Sequence, residues 1–211
     1  MHISRVEKIG ASAFLLRSAL VGQAQDILEE ISKINKSSPF RKMTTRRGII
    51  SVEMTNCGEV GWLSDKRGYR YTKIDPITQE KWPDMPNWIT LLAIKYAEQC
   101  DFHRFYPNAC LINKYIPGMR LGLHTDNDEG DIENPIVSFS LGLSAIFCWG
   151  GIKSKDPITR LLIHHGDVLV WGGEDRLRYH GINKICAGSL ESGLSERFVM
   201  TFRHTKIRHH N

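Results

Sequence analysis

The spacing of apolar side chains changes character along the chain. Between Val21 and Asn35, the residues Ala24, Ile27, Leu28, Ile31 and Ile34 recur at intervals of three and four, the stripe of an amphipathic helix. Ser37-Ser38-Pro39 ends it, because the residue before a proline is pushed out of helical geometry. A second stripe, Ile89, Leu92, Ala93, Tyr96, Ala97 and Cys100, predicts a helix over 86–100 with Pro86 in its first turn, packed on the outside of a sheet. Residues 1–20 alternate weakly around Gly10 and predict a short strand and a turn. From Ala109 onward the helical period gives way to short alternating or wholly apolar runs separated by Gly and Pro. These predict strands over 109–116, 120–124, 135–141, 144–149, 159–164, 167–171, 177–182 and 196–204, the pattern of a double-sheet jelly roll.

Between the two helical stripes the pattern is less regular. The stretch from Arg41 to Gly48 holds four cations in eight residues ahead of an apolar, strand-like run, Ile49 to Met54. It reads either as a solvated loop at a strand end or as a place to hold phosphates. Trp62 and Tyr69 sit in a Gly-rich polar stretch, Gly58 to Tyr71, with little capacity to bury them, so on their own they read as a lid on a core. Asp75-Pro76 and Trp82-Pro83 to Pro86 read as loop.

Composition narrows the class. Hydrophobic residues are 41% and charged residues 24% of the 211, so the chain can enclose a core, and with no internal repeat or linker it reads as one domain. Lys and Arg exceed Asp and Glu by five, which suits a polyanionic partner such as nucleic acid. Five cysteines, odd in number and without metal-site spacing, favour reduced thiols in a cytoplasmic protein. There is no secretory cleavage pattern and no apolar run near the roughly 18 residues of a membrane span. Nucleophile-elbow, phosphate-loop and dinucleotide motifs are all missing, which argues against those hydrolase and dehydrogenase chemistries.

Candidate chemistry centres on His124-Thr125-Asp126. On an extended strand two residues apart share a face, so the imidazole and the carboxylate can meet one cation. A second imidazole would complete the two-His, one-carboxylate set that leaves positions open on a non-haem iron(II) ion. Nothing in composition separates His180 from His103, His164, His165 or His204 for that part; only its context, Arg178-Tyr179-His180-Gly181, does.

That context is one of several blocks in a fixed order. Met54-Thr55-Asn56-Cys57-Gly58 and Gly61-Trp62 come first, then Asn113-Lys114-Tyr115-Ile116-Pro117-Gly118 and Asn127-Asp128-Glu129. Pro135 to Gly142, His165 to Gly173 and Arg197 to Arg203 follow. Together, over roughly residues 40–204, they resemble the AlkB family of DNA alkylation-repair dioxygenases. The resemblance implies a mainly β, α+β fold: a double-stranded β-helix (jelly roll, cupin-like) over about 109–204, flanking helices, and a nucleotide-recognition lid over about 40–85. It implies Fe(II), 2-oxoglutarate and O2 as cofactors, with His124, Asp126 and His180 as the metal-binding and catalytic set.

By the same resemblance Arg197, Asn113, Tyr115 and Arg203 lie on the cosubstrate side. For Arg197 this agrees with physical expectation, since an inward guanidinium on an apolar strand is costly without an anionic partner. Trp62, Tyr69 and Asp128 become substrate residues, with Arg203 able to hold Asp128. The implied activity is oxidative demethylation of N1-methyladenine and N3-methylcytosine in DNA, by a monomer. Methylated RNA, a protein side chain, or a silent methyl-base-binding module are the alternatives. Two departures stand out: Val199 where close relatives carry a polar residue near the cosubstrate, and Ser154 where an Arg contacts nucleic acid.

Overall fold

The central strands of this chain are buried on both faces, and the computed structural model, which describes residues 5–46, 48–186 and 193–206, shows why. In chain order the elements are β1 (Val6–Lys8), β2 (Ala13–Leu16), α1 (Ala24–Ser37), β3 (Arg41–Thr45), β4 (Gly48–Gly58), β5 (Gly61–Asp65), β6 (Gly68–Thr72) and α2 (Asn87–Glu98). The jelly-roll strands follow: β7 (Ala109–Tyr115), β8 (Leu121–His124), β9 (Ile136–Gly142), β10 (Ala145–Trp149), β11 (Thr159–Ile163), β12 (Val168–Trp171), β13 (His180–Ile185) and β14 (Arg197–Arg203). A major antiparallel sheet runs β1-β2-β12-β9-β14-β7-β4-β3, a minor one β11-β10-β13-β8, and β5 pairs with β6 alone.

The major sheet lies between the helices and the minor sheet, so its strands sort their side chains by parity. On β14, Phe198, Met200 and Phe202 turn to the helices, joined by Val137, Phe139 and Leu141 of β9 and by Ile89, Ala93 and Tyr96 of α2. Phe139 meets Phe202 at 4.7 Å and the edge of Tyr96 at 5.8 Å. Fully burying one such ring stabilises by about 1.5–3 kcal/mol. The opposite parity, Arg197, Val199, Thr201 and Arg203 on β14 and Ser138 and Ser140 on β9, faces a cavity between the sheets. The jelly roll and the outward position of α2 agree with the sequence reading.

Several local expectations are corrected. Residues 41–45 form a strand rather than a loop, because pairing with β4 and burial of Met43 override a polar sequence. Arg41 is not a surface cation: it pairs with buried Asp75, donates to Ser38 Oγ at 2.9 Å, and lies 5.4 Å over Trp82. Arg47 of the same cluster lies outside the described residues. The first helix begins at Ala24 after a 3-10 turn over Val21–Gln23, and the strand expected from residue 177 begins at His180, since a 3-10 turn and loop take up 173–179. The opening segment forms two paired strands, the second of which also pairs with β12. Among the described residues no helix is long and apolar enough to cross a membrane.

Candidate active site

Antiparallel pairing of β8 with β13 sets His124 directly opposite His180. Each ring is fixed by a neighbouring carbonyl: His124 Nδ1 donates to Gly122 O at 2.9 Å and His180 Nδ1 to Arg178 O at 3.0 Å. A carbonyl only accepts, so both rings carry the proton on Nδ1 and turn a bare Nε2 inward. Asp126, just past the end of β8, brings its oxygens to 3.7 Å from His124 Nε2 and 3.9 Å from His180 Nε2. The ligand atoms of the three lie within 4.8 Å of one another, a grouping able to hold a metal ion. Burial first, and His124 second, push the His180 imidazole down to about 4, so it is neutral and free to donate its lone pair near pH 7. His164, His165 and His204 are engaged elsewhere, with Ser144 Oγ, the Gly142 N–H and Tyr106 O.

Asp126 is buried, which by itself would raise its pKa, but Arg203 and the two imidazoles outweigh burial and hold the carboxyl well below the usual range. Arg203 Nη2 and Nε donate to Asp126 Oδ2 at 2.5 and 3.0 Å, and Nε lies 3.2 Å from Glu129 Oε1. The carboxylates that Arg203 grips are therefore those of Asp126 and Glu129, whereas the sequence suggested Asp128. Glu129 also accepts from Tyr71 Oη at 3.0 Å and from Arg176 Nη2 at 3.2 Å. Sequence reasoning gave no role to Glu129, Arg176 or Tyr71. Their only signal was that Glu129 follows directly on Asn127-Asp128.

Deeper in the same cavity, of about 290 Å3, lies Arg197, 1% exposed. Its Nη1 donates to Leu143 O and its Nη2 to Ser140 Oγ, both at 2.9 Å, while its buried Nε has no partner. With only neutral acceptors bonded to it, burial pulls the guanidinium down to about 10. Asn113 Oδ1 is likewise buried without a partner, and burial pushes the Tyr115 hydroxyl well above its ordinary value. Val199 adds an apolar wall; Ser154 is exposed and away from the cavity lining.

At the mouth Trp62 and Tyr69 stack at 5.5 Å with 21° between ring planes. Buried Asn56 fixes the Trp62 backbone twice, accepting from its N–H at 2.9 Å and donating to its carbonyl at 3.1 Å. Trp62 Nε1 donates to Asp128 Oδ2 at 3.4 Å. Burial, with Glu129 and Asp126 nearby, raises the Asp128 carboxyl despite that bond.

Residues 13–203 match the profile of the 2OG-Fe(II) oxygenase superfamily. The chain is 47% identical, over 93% of its length and 92% of the relative's, to the alpha-ketoglutarate-dependent dioxygenase AlkB of Escherichia coli. The chain belongs to the AlkB family. It is an iron(II)- and 2-oxoglutarate-dependent dioxygenase. The AlkB of Salmonella typhimurium is 44% identical over the same shares. Among solved structures, that of OsALKBH1 superposes with a TM-score of 0.82 at 27% identity, covering 95% of this chain and 100% of that one. An oxygenase of the same superfamily from Burkholderia pseudomallei shares the fold at 16% identity, with a TM-score of 0.58. The residues present fit AlkB cofactors. Two bare imidazole nitrogens and a carboxylate suit iron(II), and a buried guanidinium with an idle N–H suits a dicarboxylate, whose charge it lacks.

Proposed function

We propose that the protein repairs alkylated DNA by removing the methyl groups of N1-methyladenine and N3-methylcytosine. In this reading His124, Asp126 and His180 hold iron(II). Arg197 binds the distal carboxylate of 2-oxoglutarate, Asn113 and Tyr115 donate further hydrogen bonds to the same molecule, and the flipped base rests at the mouth against Trp62 and Tyr69. The observation that carries it is one shared cavity onto which the His-Asp-His set, the under-bonded Arg197 and the aromatic pair all open.

Iron(II) with 2-oxoglutarate and O2 supplies the oxidation, one oxygen atom leaving in succinate beside CO2 and the other joining the methyl group, which departs as formaldehyde. The chain's own residues do the rest. Arg203 donates to Asp126 Oδ2, which would leave Oδ1 for the metal and would orient that ligand. In this reading Asp128, held beside Trp62 at the mouth, contacts the exocyclic amine of the base. Both lesions are cationic, and a carboxylate already crowded by Asp126 and Glu129 gains from a positive neighbour. The stacked aromatics offer a flat face to any base drawn out of its helix.

Residues 1–211 are read as one dioxygenase domain, with about 40–85 as the lid and about 109–204 as the catalytic core. The protein is further read as a cytoplasmic monomer acting on nucleic acid; the five unpaired cysteines support a reducing compartment. The test is formaldehyde release and loss of the methyl mark from a methylated oligonucleotide with Fe(II), ascorbate and 2-oxoglutarate. Turnover is expected, and its absence with metal shown to be bound would overturn the proposal.

A further inference from the structure

The loop over residues 125–135 carries Asp126 and Asp128, yet no strand or helix supports it. Its carbonyls need donors, and one buried side chain supplies three of them. Arg176 Nη1 donates to Asp126 O at 2.6 Å, Nε to Asn134 O at 3.0 Å and Nη2 to Asp131 O at 3.4 Å. Arg176 stands four residues before His180, so it ties the two halves of the His-Asp-His set together. Its Nη2 also reaches Glu129 Oε2, and both side chains are almost wholly buried. The other oxygen of Glu129 lies between Arg203, which grips Asp126, and the hydroxyl of Tyr71 on β6 of the lid hairpin.

We propose that Arg176 and Glu129 are positioning residues for the iron-binding carboxylate, and that Tyr71 ties their arrangement to the seating of the lid. The inference rests on the reading of His124, Asp126 and His180 as iron ligands. Arg203 divides its donors between two carboxylates. When the Tyr71 hydroxyl withdraws, Glu129 Oε1 loses a donor and draws Arg203 toward itself, away from Asp126 Oδ2. The carboxylate then turns out of line with the two imidazoles. A pair that merely cemented the fold would alter melting temperature and leave metal affinity alone.

The experiment titrates metal-free protein with Mn(II), following the electron paramagnetic resonance of the free ion, with thermal unfolding measured alongside. Glu129→Gln and Arg176→Lys are each expected to weaken Mn(II) binding about tenfold or more, the size of effect usual for groups that orient a metal ligand. Tyr71→Phe, which removes a single oxygen, is expected to weaken it about fivefold, and decides alone should the other two fail to fold. Affinities within about twofold of wild type would overturn the inference. Failure of the wild-type protein to bind Mn(II) at all would overturn the iron-site reading beneath it.

Discussion

Arg197 holds a positive charge at depth against two neutral acceptors and one idle N–H. Such a charge costs the metal-free protein free energy and is repaired by an incoming carboxylate. Arg197→Met, close in volume, is expected to leave the thermal unfolding temperature of the metal-free protein unchanged or raised. It should raise the KM for 2-oxoglutarate at least about thirtyfold, as loss of a buried charge-assisted contact worth about 2–5 kcal/mol requires. A fall in melting temperature with an unaltered KM would refute this. Arg197 was legible in the sequence because a charge at the head of the apolar strand run Phe198-Val199-Met200 has few places to go. Arg176 and Glu129 were not, since charges flanked by Asp, Gly and Asn look like solvated turns until the loop closes over them. Parity put Arg203 on the same face as Arg197, but could not choose among the carboxylates at 126, 128 and 129.

Among the elements, the jelly-roll strands were readable to within a few residues because both faces of the major sheet are covered. Polar residues then mark the cavity side: Ser138 and Ser140 between Val137, Phe139 and Leu141. β3 was unreadable, since Arg41-Lys42-Met43-Thr44-Thr45 has no strand pattern of its own and is drawn into the sheet by β4. The β5–β6 hairpin depends on a close approach at Gly61, where an added Cβ would stand 2.4 Å from the Trp82 ring. Trp82 cannot easily yield, as its Nε1 donates to Thr72 O at 2.8 Å and Arg41 covers its face. Gly61→Ala is expected to cost about 1–3 kcal/mol of stability through overpacking. By shifting Trp62, one residue on, it should weaken binding of a methylated oligonucleotide about fivefold, read by fluorescence anisotropy, while the KM for 2-oxoglutarate stays constant.

For the whole molecule, the buried site makes the fold sensitive to acid. His180 has an ordinary value of 6.5 and a folded value of about 4. Below pH 6.5 the unfolded chain takes up a proton that the folded chain refuses until about pH 4. Stability is therefore complete above 6.5 and is lost as the pH falls through that window, by a few kcal/mol. Asp126, also held low, adds a loss of the same sign at more acidic pH. Denaturant midpoints of the metal-free protein should fall between pH 6.5 and 4, with His180→Gln flattening the slope; an unchanged slope would show that His180 is not the group responsible.

The parity of β14 also guards the fold against mispairing. Were the strand to slide one residue against β7 and β9, two guanidinium groups would be pressed into the oily layer beneath the helices. Phe198, Met200 and Phe202 would meanwhile be pushed into the cavity between the sheets and lose their packing against the helices. That exchange is costly, so the arginines that line the cavity also help to hold the register of the sheet.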